Sequence, residues 1–290
     1  MNPPNKIAAL HDLSCLGRCA LTVIIPTLSV MGYQVIPVPT ALLSTHTGGY
    51  TDLHFSDLTD DMGHIADHFG RMDTRFDSIY TGFLGSTRQI RTVERFLKDL
   101  GNEREGKKPL ILIDPVMGED GELYSTYTEE LAEGIRHLCQ YADVMTPNLT
   151  EACFLTQFPY QNTKEMSEAD ARAYANELMD RLEEQYHCRI AITGIRLCDG
   201  SVANLCKDEK NERFFSQQPE CGHSYPGTGD IFASVLLGKL LGGESFPHAV
   251  DAAADFVARL IRVTISLPTE TREGVALEPE LWRLIPKNRD

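Results

Sequence analysis

The segment Tyr225-Pro226-Gly227-Thr228-Gly229-Asp230 runs directly into the apolar stretch Ile231-Phe232-Ala233-Ser234-Val235-Leu236-Leu237. This order reads as a turn feeding a helix. The first N–H groups of a helix have no partner inside it and carry partial positive charge. Glycines there let an anion approach bare backbone. An aspartate beside a phosphate held in that way can take a proton from a hydroxyl. The chemistry indicated is phosphoryl transfer to an alcohol: Asp230 as base, with the Gly227, Thr228 and Gly229 amides holding the migrating group. A helix-capping aspartate in a glycine turn is spelled the same way.

Other polar clusters offer partners for that chemistry. Asp114 follows an apolar run and precedes Pro115, so its carboxylate could help hold Mg²⁺ directly or through water. Asn148 and Glu151, three apart at a helix start, project nearly the same way. The pair could support Mg²⁺, and it equally spells a capping box. Gly118-Glu119-Asp120-Gly121-Glu122-Leu123-Tyr124 is a glycine-bounded polar loop that could fold over a ligand and exclude water, or be ordinary surface. Phe83, flanked by Gly82 and Leu84, could stack on a flat ring or simply pack in a core. His64 and His68 at i, i+4 read as a solvated helix face rather than a metal site.

The elements that must position these groups alternate in type. Strands are expected at Ile7 to Leu10, Val35 to Pro39, Asp77 to Thr81, Leu110 to Ile113, Asp143 to Met145 and Arg189 to Thr193. Helices are expected at Cys19 to Met31 (kinked at Pro26), Gln89 to Leu100, Glu129 to Cys139, Leu149 to Thr156 and Ala169 to Glu184. Ser201 to Cys206 and Arg213 to Ser216 read as a hairpin, followed by helices from Ile231 to Leu241 and from Pro247 to Val263. This strand-then-helix order predicts an α/β fold, a mostly parallel central sheet with helices on both faces. Without linker, low-complexity tract or repeat, residues 1–290 read as one domain. Ligands of such sheets bind beyond the carboxyl ends of the strands. The clusters His11-Asp12-Leu13-Ser14, Ser44 to Gly49, Gly82 to Gly85, Asp114 to Gly118 and Thr146 to Glu151 would share that edge.

Composition narrows the function. A net charge of −15 opposes non-specific binding to nucleic acid, so a phosphorylated ligand needs a local cradle. No stretch approaches the ~20 apolar residues of a membrane helix, and the N-terminal residues lack a signal-peptide layout. The eight cysteines form no Cys-x-x-Cys pair and read as reduced thiols, mostly core filler. A cytoplasmic protein is the expectation. The Walker A pattern and the G-x-S-x-G nucleophile elbow are both absent, which weighs against P-loop kinases and α/β-hydrolases.

Taken together, Thr47-Gly48-Gly49, Thr81-Gly82-Phe83-Leu84-Gly85, Asp114-Pro115-Val116-Met117-Gly118, Thr146 to Glu151 and Gly227 to Asp230 resemble the pyridoxal kinase branch of the ribokinase-like superfamily. The resemblance runs in order from about Ile7 to about Val263. It implies a ribokinase-like fold and ATP-dependent phosphorylation of the 5′-hydroxyl of pyridoxal, pyridoxine or pyridoxamine. It implies Asp230 as base, Gly227, Thr228 and Gly229 as anion hole, and Thr47 and Phe83 as ring contacts. It further implies Asp114 and Glu151 near Mg²⁺ with Asn148 beside them, Thr193 on the nucleotide side, a homodimer, and K⁺ as a second cation. Asp12 departs from the serine that the family often carries near the end of strand one. A carboxylate there favours a cationic substituent and so leans toward pyridoxamine. Competing readings are a hydroxymethylpyrimidine kinase, a ribokinase-type sugar kinase and a non-catalytic ligand-binding relative; the intact Gly227-to-Asp230 set counts against the last.

Overall fold

The structure, a computed structural model, describes residues 3–103, 106–124, 127–220, 222 and 224–286. Cys221, read above as a thiol, lies outside the described residues. The elements in chain order are β1 (Lys6–Leu16), α1 (Leu21–Val30), β2 (Gln34–Thr45), β3 (Phe55–Asp57), α2 (Thr59–Arg71), β4 (Ser78–Thr81), α3 (Thr87–Leu100), β5 (Leu110–Ile113), β6 (Gly118–Glu119) and β7 (Glu122–Leu123). There follow α4 (Glu129–Leu138), β8 (Val144–Met145), α5 (Leu149–Thr156), α6 (Glu168–Gln185), β9 (Arg189–Ile190), β10 (Ile192–Arg196), β11 (Ser201–Lys207), β12 (Arg213–Pro219), α7 (Thr228–Leu241) and α8 (Phe246–Ile265).

Among the described residues, seven strands form the central sheet in the order β3-β2-β1-β4-β5-β8-β9. All neighbours pair in parallel except the short β3, which runs antiparallel to β2. Strand residues alternate between faces, so a strand buried on both sides must be apolar throughout. Ile7-Ala8-Ala9-Leu10 meets that demand. Ala8 and Leu10 join a core with α2 to α6, and Ile7 and Ala9 join a second core with α1, α7 and α8. The mostly parallel α/β sheet with helices on both faces is therefore the observed architecture.

Helix starts follow their capping chemistry. Ser86, Thr128 and Ser167 each accept a backbone N–H in the first turn of α3, α4 and α6. Asn148 and Glu151 form the full capping box of α5. In contrast, α7 starts at Gly227 with no side-chain cap.

The structure differs from the periodicity in several places. β1 and β2 extend past their apolar runs to Leu16 and Thr45, because their polar ends face a cleft rather than a helix layer. His11, Asp12 and Ser14 thus lie inside β1, where the β1–β2 register shifts between His11 and Leu13. The expected strand from Arg189 to Thr193 divides at Ala191. Its second half becomes β10, which joins β11 and β12 in a separate antiparallel sheet and carries Gly194 at φ +72°. The loop from Gly118 to Tyr124 contains the β6–β7 hairpin, which turns through Asp120 and Gly121, both at positive φ. His64 and His68 are exposed on α2, as expected of a solvated face.

Asn148→Ala removes both the cap acceptor and a hydrogen bond from Asn148 Nδ2 to Gly118 O (2.8 Å). Thermal denaturation should show a loss of about 1–2 kcal/mol; an unchanged melting temperature would contradict this account of α5.

Candidate active site

The carboxyl ends of β1, β2, β4, β5 and β8 open into a cleft of about 770 Å³. All eleven site residues singled out in the sequence line it: Asp12, Thr47, Phe83, Asp114, Asn148, Glu151, Thr193, Gly227, Thr228, Gly229 and Asp230. Their assembly follows from the parallel sheet, which points every strand-end loop the same way.

Gly227 sits at φ +80°, and a Cβ there would lie 2.0 Å from the Arg18 carbonyl oxygen. No other residue fits so close to that backbone. The tight approach sets the first turn of α7 against the segment before α1. Asp230 in that turn accepts a 2.8 Å hydrogen bond from Ala20 N through Oδ2. Its side chain is 15% exposed, and that exposure is onto the cleft. Burial, with added repulsion from Asp114 and Asp12, pushes its carboxyl up to about 8.

Asp114 and Glu151 lie deeper. Asp114 accepts from Thr146 Oγ1 at 3.0 Å, and burial raises its carboxyl to about 7. Glu151 accepts from Asn148 N at 2.8 Å and Met117 N at 3.1 Å. Burial first, and then the Asp114 charge, raises it well above the ordinary range. Asn148 is occupied in the cap, with Oδ1 accepting from Glu151 N at 2.9 Å. Thr193 is tied alongside by its N–H to Pro147 O at 2.9 Å.

Arg272 is the only Lys or Arg among the described residues lining the cleft. Carboxylates gathered in low dielectric without a cation favour a bound one. The oxygen donors of Asp114 and Glu151 suit Mg²⁺, which tolerates few protein ligands and keeps several waters. Since both Glu151 oxygens already accept backbone N–H groups, contact through water fits that residue best.

The opposite end is narrower in chemistry. Asp12 is buried and accepts from Ser14 Oγ at 2.8 Å; burial raises its carboxyl. His46 accepts from Gly48 N at Nδ1 (3.1 Å), which leaves its Nε2 as the donor to Arg272 O (2.6 Å). Thr47 is exposed at the mouth, and the half-buried Phe83 meets the Tyr127 ring edge-on at 6.1 Å.

Several lining residues escaped the sequence reading. Arg272, stacked over Tyr50, comes from a turn between Thr271 and Glu273 that carries no motif. Ser224 also lines the cleft, whereas Tyr124, which lines it too, ends the loop expected to fold over a ligand. Ala20 contributes only its backbone N–H, which no side-chain pattern can announce. The glycines at 17 and 274 were its one available signal. Both hold positive φ beside the segment from Gly17 to Ala20.

A family model described as phosphomethylpyrimidine kinase matches residues 25–274. The chain belongs to the phosphomethylpyrimidine kinase family. A member from Bacteroides thetaiotaomicron, assigned as a phosphomethylpyrimidine kinase and crystallised with pyridoxal, is 40% identical. It superposes with a TM-score of 0.86 over 97% of this chain and 96% of its own. The pyridoxine/pyridoxal/pyridoxamine kinase of Bordetella avium is 28% identical over 89% of this chain and 85% of the relative. The pyridoxal kinase of Leishmania donovani, in complex with ADP and pyridoxine, is 25% identical with a TM-score of 0.79, covering 96% and 94%. The protein is thus a kinase-type phosphotransferase of the pyridoxal kinase kind, with the ribokinase-like fold that the motifs implied.

The raised carboxyls have a consequence for stability. Asp230 releases its proton near pH 8 when folded and near 3.8 when unfolded. Between those values the folded state holds a proton that the unfolded state has lost, so rising pH destabilises the ligand-free protein. Asp114 acts with the same sign up to about 7. Ligand-free Asp230→Asn should melt above wild type at pH 8 and close to it at pH 5. Parallel melting curves across that range would count against the burial argument.

Proposed function

We propose that this kinase transfers the γ-phosphoryl group of ATP to the 5′-hydroxyl of a vitamin B6 vitamer, with a preference for pyridoxamine. The observation carrying this reading is the placement of Asp230 in the first turn of α7, in the same cleft as the bare amides of Gly227 to Gly229. The Bacteroides relative crystallised with pyridoxal and the Leishmania enzyme held with ADP and pyridoxine support the substrate pair.

In this reading the Asp230 carboxylate takes the hydroxyl proton as the alcohol oxygen attacks the γ-phosphorus. The bond between that phosphorus and the departing ADP oxygen breaks, and the phosphate monoester forms. The amides of Gly227, Thr228 and Gly229 steady the equatorial oxygens during transfer. Asp114 and Glu151 would hold Mg²⁺, which neutralises phosphate charge when bound. Thr193 and Asn148 border the nucleotide side, while Thr47 and Phe83 border the flat ring. Asp12 faces the ring substituents, and its carboxylate suits the protonated aminomethyl group of pyridoxamine.

Asp230→Asn should lower kcat by roughly 10²–10⁴-fold with little change in KM for the vitamer. Near-normal turnover would refute the base. The family's own description makes hydroxymethylpyrimidine the second reading for the acceptor. A coupled ADP-release assay with the three vitamers, hydroxymethylpyrimidine and ribose side by side separates the two: greater kcat/KM on hydroxymethylpyrimidine would replace the first reading. Asp12→Ser should cut kcat/KM for pyridoxamine more than for pyridoxal or pyridoxine, whereas an unaltered ranking would remove Asp12 from specificity.

A further inference from the structure

His11 has no role in the chemistry above, yet it lies against the centre of it. The side chain is fully buried on β1, and neither ring nitrogen has a hydrogen-bond partner. The buried carboxylates around it are better served. Asp12 is satisfied by Ser14, Asp114 by Thr146, and Glu151 by two backbone amides. Buried polar groups are rarely left unpaired without a functional reason.

The ring is also tightly boxed. Tyr80 meets it edge-on with centroids 4.2 Å apart. A Cβ on residue 82 would lie 2.3 Å from His11 Cε1 and 2.4 Å from Nδ1, so Gly82 is the residue that makes room for it. Within this box Nδ1 lies 3.9 Å from Asp230 Oδ1. The other carboxylate oxygen, Oδ2, is the one held by Ala20 N.

We propose that His11 is a positioning residue for Asp230: its Nδ1–H donates to Asp230 Oδ1 in the substrate-loaded enzyme and keeps the carboxylate facing the acceptor hydroxyl. The inference rests on the reading of Asp230 as the base. The separation is about 1 Å beyond a normal hydrogen bond, and catalytic hydrogen bonds are often long before substrates bind and shorten afterwards. Of the ionisable groups around Asp230, the Tyr80 hydroxyl donates to its backbone carbonyl at 3.5 Å, which leaves the carboxylate Oδ1 facing the imidazole. Asp12 shares β1, Cys19 precedes α1, Tyr80 comes from β4, and Asp114 follows β5. None is cationic. Burial also holds the imidazole neutral, pushing it down to about 3. A neutral ring turns either a proton or a lone pair toward the carboxylate, and only the proton attracts. The arrangement inverts the serine-protease order, since here the imidazole orients and the carboxylate accepts the proton. Held by two donors, Ala20 N and His11 Nδ1, the charged form of Asp230 gains what burial takes from it.

The test has a spectroscopic and a kinetic arm. In wild-type enzyme labelled with ¹⁵N-histidine and loaded with pyridoxamine and a non-hydrolysable ATP analogue, His11 should appear as the neutral Nδ1–H tautomer. The Nε2–H tautomer would overturn the proposal. His11→Leu should lower kcat about 10- to 100-fold with both KM values held within about twofold, and His11→Gln, which keeps an N–H donor, should recover most of the loss. Leu and Gln variants with equal kcat, or a Leu variant with wild-type kcat, would also overturn it. Asp230→Asn measured in parallel keeps the two ideas apart. An active Asp230→Asn defeats the base, while an inactive one beside an active His11→Leu defeats only the role given to His11.

Discussion

One backbone oxygen organises the cleft. The Arg18 carbonyl is approached by Gly227 and by Gly274, where added Cβ atoms would lie 2.0 and 2.7 Å away. Arg18 N donates to Glu273 O at 3.0 Å, and Ala20 N to Asp230 Oδ2 at 2.8 Å. The segment before α1 is thereby clamped between the start of α7 and the turn after α8. Side chains at 227 or 274 would force these walls apart, and Asp230 would lose the one amide that orients it. Close packing makes such a junction sensitive to shifts of a few tenths of an ångström.

Electrostatics imposes the second constraint. The fold buries Asp12, Asp114 and Glu151, and half-buries Asp230, around one cavity lined by a single arginine among the described residues. Burying carboxylates is unfavourable unless they are protonated, hydrogen-bonded or paired. The protein answers with Ser14, Thr146, the α5 capping box and the Ala20 amide, and it leaves the rest of the imbalance standing. A cleft of that character binds cations and positively polarised ligands well, and it is less stable empty than full. The overall charge of −15 makes a local cradle the only practical way to hold a polyphosphate.

The same residues serve structure and site at once. Asn148 and Glu151 are spelled as a capping box and are found as one, yet both also line the cleft. The cap fixes where Glu151 can point, and its oxygens anchor the backbone at Met117 and Asn148. Structural and chemical readings of such a pair are not alternatives, because a helix start at a strand end is where caps and ligands both converge.

The motifs at residues 227–230, 114–118 and 146–151 were legible because each is local. A turn, a cap or a strand exit is written within a few consecutive residues, and the alternation of strand and helix then places all of them on one sheet edge. The division of the strand at Ala191 was not legible, since it depends on where the neighbouring β8 stops, and β8 ends at Met145. Nor was the approach of His11 to Asp230, or the arrival of Arg272 at His46. Those contacts join residues more than two hundred positions apart. Only the folded chain, by stacking α7 and the C-terminal turn against β1 and β2, decides which distant side chains share a low-dielectric space and so which of them acquire altered chemistry.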